Sequence, residues 1–366
     1  MKIAILGTRG VPAAYGGFET LAEELSARLA ARGHDVTVYA RPHGVASVVS
    51  THRGARVVHL PTLRRKYLDT VVHTALSGLH AAAEGYDAVL VCNGVNALFC
   101  RLPRLLGSPV RVVLNVDGLE RNRRKWNAFG KLAYALSERL SCVLPDVVVT
   151  DARAIQAYYR KTYGKDSVYI PYGSDLATPA GLATLERLGL EPGGYVLYVS
   201  RFEPENNPDA VVRAFRRVPG ETKLVLVGAA PYADAFLARI RAEAAGDPRI
   251  LLPGAVYGEP YRELLANAAL YVHATEVGGT HPALLEAMGF GRPLLVHDTP
   301  ENRETGGMAA LYVDARSAES LAAGLTALLS DPAARERSGR AARERARSEY
   351  LWDTVADAYE TLLAGS

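Results

Sequence analysis

The chain has 366 residues, 49% of them hydrophobic and 22% charged, with 42 Lys and Arg against 39 Asp and Glu for a net charge of +3. Such proportions are those of a soluble globular protein, and the length suggests two domains. Three cysteines without a C-x-x-C pair exclude a disulfide scaffold, and nine histidines without H-E-x-x-H spacing, in a chain with no D-x-D, point away from a metal clamp.

The first apolar run, "KIAILG" (2–7), reads as a buried strand leading into the loop "GTRGVPAAYGGFET" (7–20). The run is too short for a signal peptide, so a cytoplasmic protein is expected. A helix follows over "FETLAEELSARLAARG" (18–33), and then strands at "DVTVYA" (35–40), "RVVHL" (56–60), "DAVLVC" (87–92), "VRVVLNV" (110–116) and "DVVVT" (146–150). The uncharged stretches at 70–83 and 88–100 fall short of the roughly 18 apolar residues of a membrane span. "IPYGSDLATPAG" (170–181) is rich in Pro and Gly and marks a domain boundary. The pattern restarts with strands at 195–201, 223–228, 249–254, 270–274 and 293–298, a helix at 208–218, and two closing helices near 333–348 and 351–363. Strands alternating with helical patterns imply βαβ units and a parallel sheet in each half. The predicted division is 1–172, 173–350 and a terminal helix over 351–366. Charge divides the same way. Residues 1–172 carry 23 Lys and Arg against 13 Asp and Glu, net +10, whereas residues 173–366 carry 19 against 26, net −7. A basic half suits phosphates or anionic lipid, and with no nucleic-acid-binding module beside it, nucleic acid is not an expected partner.

Open parallel sheets bind ligands beyond the carboxyl ends of their strands, so the loops there hold the candidate residues. Gly16 and Gly17 open the first helix and would let a diphosphate or sugar approach backbone N–H groups, or simply serve a tight turn. Asp117, just past a strand, either orients a sugar or caps a helix. Arg121, Arg123, Arg124, Lys125 and Trp126 join cations to an aromatic ring, as an anionic, partly apolar ligand or a membrane surface would ask; a solvated basic helix face is the competing reading, and "LRRKY" (63–67) adds a second such cluster. Arg201 ends a strand, placed to reach a diphosphate or to make a surface ion pair. In "HATEVGGTHPALLEAMGFG", Gly278, Gly279 and Thr280 precede a helix with Pro282 in its first turn, and Glu286 lies one turn in. A carboxylate there can accept the two hydroxyls of a ribose.

Taken together these segments resemble retaining glycosyltransferases of the GT-B fold, glycosyltransferase family 4, over nearly the whole chain. "LLEAMGFGRPLLVHD" is similar to the family's L-E-A-M-x-x-G-x-P-x-x-x-x-D motif, "VSRFEPENNP" to R-x-x-x-E-K-N, "YIPYG" to the interdomain I-P-x-G, and "YLWDTVADAYETLL" to its C-terminal ending. The resemblance implies two Rossmann-like domains facing a central cleft, a nucleotide-sugar donor held by the second domain, no metal and no cofactor. It implies donor contacts at Arg201, Asn206 and Glu286, with leaving-group charge met by Arg201. Two positions depart from the family: Gly278 replaces its first acidic-motif glutamate, and Asn206 its phosphate-binding lysine. "GTRGVPAAYGGFET", "NVDGLE", "EPENN" and "VGGTHPALLEAM" resemble a bacterial rhamnosyltransferase subgroup. That implies dTDP-L-rhamnose as donor, a polyprenyl-diphosphate-linked saccharide as acceptor, cell-surface polysaccharide assembly, and a peripheral position on the inner face of the plasma membrane. UDP- or GDP-hexose donors, a sugar-nucleotide epimerase and a nucleotide-sugar binding protein are the alternatives.

Overall fold

A computed structural model describes the chain except residues 15, 64–67, 106, 108, 125, 177–180, 230–233 and 366. The chain forms two compact units. One comprises Met1–Asn122, Trp126–Gly173 and Trp352–Ser366; the other comprises Arg123–Lys125 and Ser174–Leu351.

The first unit holds an eight-stranded sheet. Its strands are β1 (Lys2–Leu6), β2 (Asp35–Ala40), β3 (Thr51–His52), β4 (Ala55–His59), β5 (Ala88–Cys92), β6 (Arg111–Asn115), β7 (Val147–Thr150) and β8 (Val168–Tyr169). The order is β3-β4-β2-β1-β5-β6-β7-β8, parallel throughout except for the β3–β4 edge pair. β1 and β5 are almost wholly buried, as continuous Val, Ile and Leu runs require when helices cover both faces of a sheet. On one side the helix Gly17–Ala31 packs against the closing helix Trp352–Ala364. The pair is tied by Arg28 to Asp353 (3.0 Å), Arg32 to Glu360 (2.6 Å) and His34 to Glu360 (2.7 Å), and Asn115 donates to the buried Tyr359 hydroxyl. On the other side the helices Asp69–Glu84 and Ala128–Ser141 flank 3₁₀ turns over Gly94–Arg104. Cys92 and Cys100 lie in the core, where burial pushes both thiols up, Cys100 to about 12.

The second unit carries β9 (Tyr195–Val199), β10 (Lys223–Val227), β11 (Ile250–Gly254), β12 (Leu270–His273), β13 (Leu294–His297) and β14 (Ala310–Val313). Their order, β11-β10-β9-β12-β13-β14, is all parallel, and it reverses between β9 and β12. Phe202, Phe215, Leu224, Leu226, Leu270 and Leu325 share one buried core there. The strong helix Pro332–Glu349 starts at Asp331, whose carboxylate accepts from the Ala334 amide, with Pro332 in the first turn.

These two parallel-sheet α/β units follow the strand pattern, and they are the GT-B type that the resemblance implies. Three strands escape the sequence pattern: β3 and β8 are two residues long, and β14 is half-exposed "ALYV" at the sheet edge. Among the described residues no helix is long and apolar enough to cross a membrane.

Candidate active site

The reversal of strand order between β9 and β12 opens a crevice beyond their carboxyl ends, the position where doubly wound sheets take ligands. Arg201 lies two residues past β9, and its backbone is held tightly. The Arg201 carbonyl accepts from the Asn206 side chain (2.7 Å), the Glu203 amide (2.8 Å) and the Ser200 hydroxyl (3.1 Å). Its guanidinium is about one-third exposed and 3.8 Å from the Glu203 carboxylate. Asn206 is buried, so its amide braces the Arg201 loop from inside.

The loop after β12 is stitched to the loop after β9. The Glu276 amide donates to the Glu205 carbonyl (2.9 Å), and the Asn207 side chain donates to the Ala274 carbonyl and a Glu276 oxygen, both at 2.9 Å. Asn207 adopts a left-handed conformation (φ +55°), which Asn tolerates better than most residues, just before Pro208 starts a helix. Gly279 and Thr280 are buried ahead of the helix Pro282–Gly289. At Gly278 a Cβ would fall 2.3 Å from the His281 ring, so glycine leaves room for that imidazole. His281 faces the His273 ring at 4.7 Å between centroids, and burial, followed by the charges of His273, Arg123 and Arg201, holds it well below the usual histidine range. Burial and His297 push His273 down to about 3, so both rings are neutral at pH 7. Glu286 is half-buried and accepts from the Tyr261 hydroxyl at 2.5 Å. Burial and the Glu286 charge raise the Tyr261 and Tyr271 phenols, which keeps both protonated.

The basic cluster read from the sequence divides between the units. Arg121 donates to the Tyr158 hydroxyl and lies 3.4 Å from Glu138 in the first unit. Arg123 is buried, 3.4 Å from Glu203 and 3.5 Å from Glu205, and Arg124 reaches both Glu276 oxygens at 2.7 Å; these two residues pack with the second unit. The Trp126 ring lies 5.2 Å from that of Tyr134, tilted by 47°. Lys125 and most of the 63–67 cluster lie outside the described residues.

In the first unit Asp117 follows β6 in a left-handed conformation (φ +53°), its amide donating to the Asn115 side chain at 3.0 Å. The long helix that follows is capped by Asn127, whose side chain accepts from the Gly130 amide. Gly16 caps the first helix in an extended conformation, its carbonyl accepting from the Glu19 and Thr20 amides, and Gly17 begins that helix. The fold therefore gathers Arg201, Asn206, Gly278, Gly279, Thr280 and Glu286 at the second unit's crevice, while in the first unit Gly16 and Gly17 open the first helix and Asp117 stands just past β6.

Two doubly wound parallel-sheet units of this kind are the architecture of GT-B transferases of sugars. Residues 186–345 match the family described as glycosyl transferases group 1, and residues 16–173 match the glycosyl transferase 4-like domain. The chain is a glycosyltransferase built from these two family domains. It is similar to a GDP-mannose-dependent alpha-(1-6)-phosphatidylinositol monomannoside mannosyltransferase of Mycobacterium tuberculosis, 26% identical over 100% of this chain and 99% of that one. It is also similar to O-antigen chain mannosyltransferase B of Escherichia coli, 28% identical over 42% of each chain. Sucrose-phosphate synthase from Thermosynechococcus elongatus shares the fold with a TM-score of 0.84 at 21% identity, covering 100% of both chains. HepE of Anabaena, crystallised with UDP-glucose, shares it at 0.80 and 16%, again over 100% of both.

Glu286→Gln should weaken nucleotide-sugar binding, and Glu286→Ala should do so further, by about tenfold or more, as expected for losing a charge-assisted hydrogen bond. Titration calorimetry beside a thermal melt separates this from unfolding. Unchanged donor affinity in both variants would leave Glu286 with a structural role, as in its bond to Tyr261.

Proposed function

We propose that this glycosyltransferase works with retention at the anomeric carbon, moving a sugar from a nucleotide-sugar donor to a saccharide carried on a polyprenyl diphosphate. The work belongs to cell-surface polysaccharide assembly at an anionic membrane. The observation that carries the reading is the Arg201 loop, braced by Asn206 and stitched to the loop after β12 that leads into the helix bearing Glu286. Arg201, the N-terminus of the helix Pro282–Gly289 and the Gly278–Gly279 amides take the departing diphosphate, and Glu286 takes the ribose. Residues 173–350 are the donor side and 1–172 the acceptor side, where Asp117 orients a sugar; residues 351–366 complete the acceptor side.

The donor placed first is dTDP-L-rhamnose, on the subgroup motifs. GDP-mannose is the second reading, favoured by the mycobacterial and Escherichia coli relatives, whose names also support a lipid-borne or polysaccharide acceptor. UDP-hexoses follow from the UDP-glucose complex of the Anabaena neighbour.

A thermal-shift screen of dTDP, UDP and GDP with their sugars decides among these. A ligand at 100 times its Kd stabilises the folded state by about 2.7 kcal/mol. The dTDP series should give the largest shift. No shift with any nucleotide at millimolar concentration would overturn the proposal. Turnover of the nucleotide sugar with no acceptor present would point to an epimerase instead.

A further inference from the structure

The layer formed by Asp69–Glu84, Gly94–Arg104 and Ala128–Ser141 in the first unit has an unusual outer face. In Ala128–Ser141 the side chains of Phe129, Leu132 and Leu136, with Val143 just beyond, recur at the spacing of one helical stripe. The stripe points outward. Together with Leu98 of the neighbouring 3₁₀ segment and Leu105 just after it, these six side chains are between 57% and 72% exposed. Single exposed leucines are ordinary on a protein surface; contiguous ones mark a binding face.

Charge on the same layer is sorted. Its acids are each engaged within the protein: Asp69 with Arg41 (2.9 Å), Glu84 with Lys2 and Arg56 (3.4 and 3.2 Å), and Glu138 with the Tyr158 and Tyr163 hydroxyls (2.9 and 2.8 Å). Its exposed cations are not: among the described residues Arg101, Lys131 and Arg139 make no ion pair. Leucines and a phenylalanine edged by unpaired cations, without an unpaired carboxylate, complement an anionic bilayer, whose headgroups take the cations and whose acyl boundary takes the apolar stripe. The Arg121–Trp126 segment, by contrast, has its described arginines paired with glutamates or a tyrosine.

The geometry points to this face, centred on Leu132 and Leu136, as the surface that seats the enzyme in an anionic lipid bilayer by shallow insertion. The inference rests on the membrane-borne acceptor proposed above and names the surface that reaches it. Lipid binding here has an apolar part that salt leaves intact and an electrostatic part that salt removes.

The test uses the full chain and vesicles of phosphatidylcholine alone or with phosphatidylglycerol, free of any glycosyl acceptor. Wild type should co-sediment with the anionic vesicles and retain part of that binding in high salt. Leu132→Glu/Leu136→Glu changes only exposed positions and should lower partitioning by about tenfold or more. Arg101→Ala/Lys131→Ala/Arg139→Ala should lose about fivefold per cation on anionic vesicles and little on neutral ones. Thermal melts and nucleotide affinity, measured on the same preparations, should match wild type in both variants. Wild-type-like sedimentation of Leu132→Glu/Leu136→Glu overturns the assignment of this face while leaving a membrane-borne acceptor standing. Wild type that sediments with no vesicle overturns both, and intact nucleotide binding in that sample keeps sugar transfer separate. Dimers of wild type that Leu132→Glu/Leu136→Glu dissociates, with lipid binding unchanged, would make the face a contact between copies of the chain and overturn the inference.

Discussion

Arg201→Ala should lower turnover by about 10²–10³ while changing nucleotide-sugar affinity far less. A departing nucleoside diphosphate gains negative charge as the sugar bond breaks, so a fixed cation beside it acts mainly on the transition state. The loop is built to fix that cation. Three hydrogen bonds converge on the Arg201 carbonyl, one from the buried Asn206, and the Tyr198 hydroxyl holds the Asn206 carbonyl at 2.7 Å. Truncating the side chain leaves those bonds in place, so stability should hardly move. Steady-state kinetics with a saturating acceptor gives the split. A rise in KM with kcat unchanged would assign Arg201 to ground-state binding, and the leaving-group charge would then have to be met by amides and the helix terminus alone.

Gly228→Ala should destabilise the second unit by about 2–3 kcal/mol or more and weaken donor binding with it. Gly228 follows β10 and runs against the Arg201 loop. A Cβ there would sit 2.0 Å from the Ser200 carbonyl oxygen and 2.7 Å from the Phe202 ring. Neither neighbour can yield cheaply: Phe202 is 1% exposed in the core, and its amide donates to the Ala229 carbonyl at 2.8 Å. The backbone of residues 200–202 must shift, and Arg201 shifts with it. Urea unfolding and calorimetry with a nucleoside diphosphate should show both losses together. A normal unfolding midpoint with normal affinity would mean that the loop has slack at Ser200.

Much of this was readable in the chain itself, for identifiable reasons. The central strands are continuous apolar runs bounded by Gly, Pro and charges, and burial on both faces leaves that pattern little freedom. β14 is half-exposed at an edge and β3 and β8 are too short to show a period, so composition could not mark them. At the crevice, glycines and the lone Glu286 stood out because their chemistry is unusual inside apolar surroundings. Tyr261 did not, since a tyrosine twenty-five residues upstream becomes its partner only through the fold. His281 was legible as a residue type beside two glycines, but its claim on the space over Gly278 was not. The basic segment shows the opposite failure. Arg121, Arg123 and Arg124 are adjacent in sequence, and their neutralising partners, Glu138, Glu203, Glu205 and Glu276, are not. Counting charge along a chain sees the cations and misses the pairing, while the exposed stripe at Phe129, Leu132 and Leu136 carries no local signal that distinguishes it from core.

The pairing of the first and last helices sets an order on biosynthesis. A ribosome delivers Gly17–Ala31 early, yet Arg28 and Arg32 meet Asp353 and Glu360 only when the helix Trp352–Ala364 emerges. Residues 174–351, by then fully translated, already contain every strand of the second sheet. The unit begun first is thus completed after the second, and until Trp352–Ala364 is made, the nascent first unit exposes the surface that Val355, Tyr359 and Leu363 will cover.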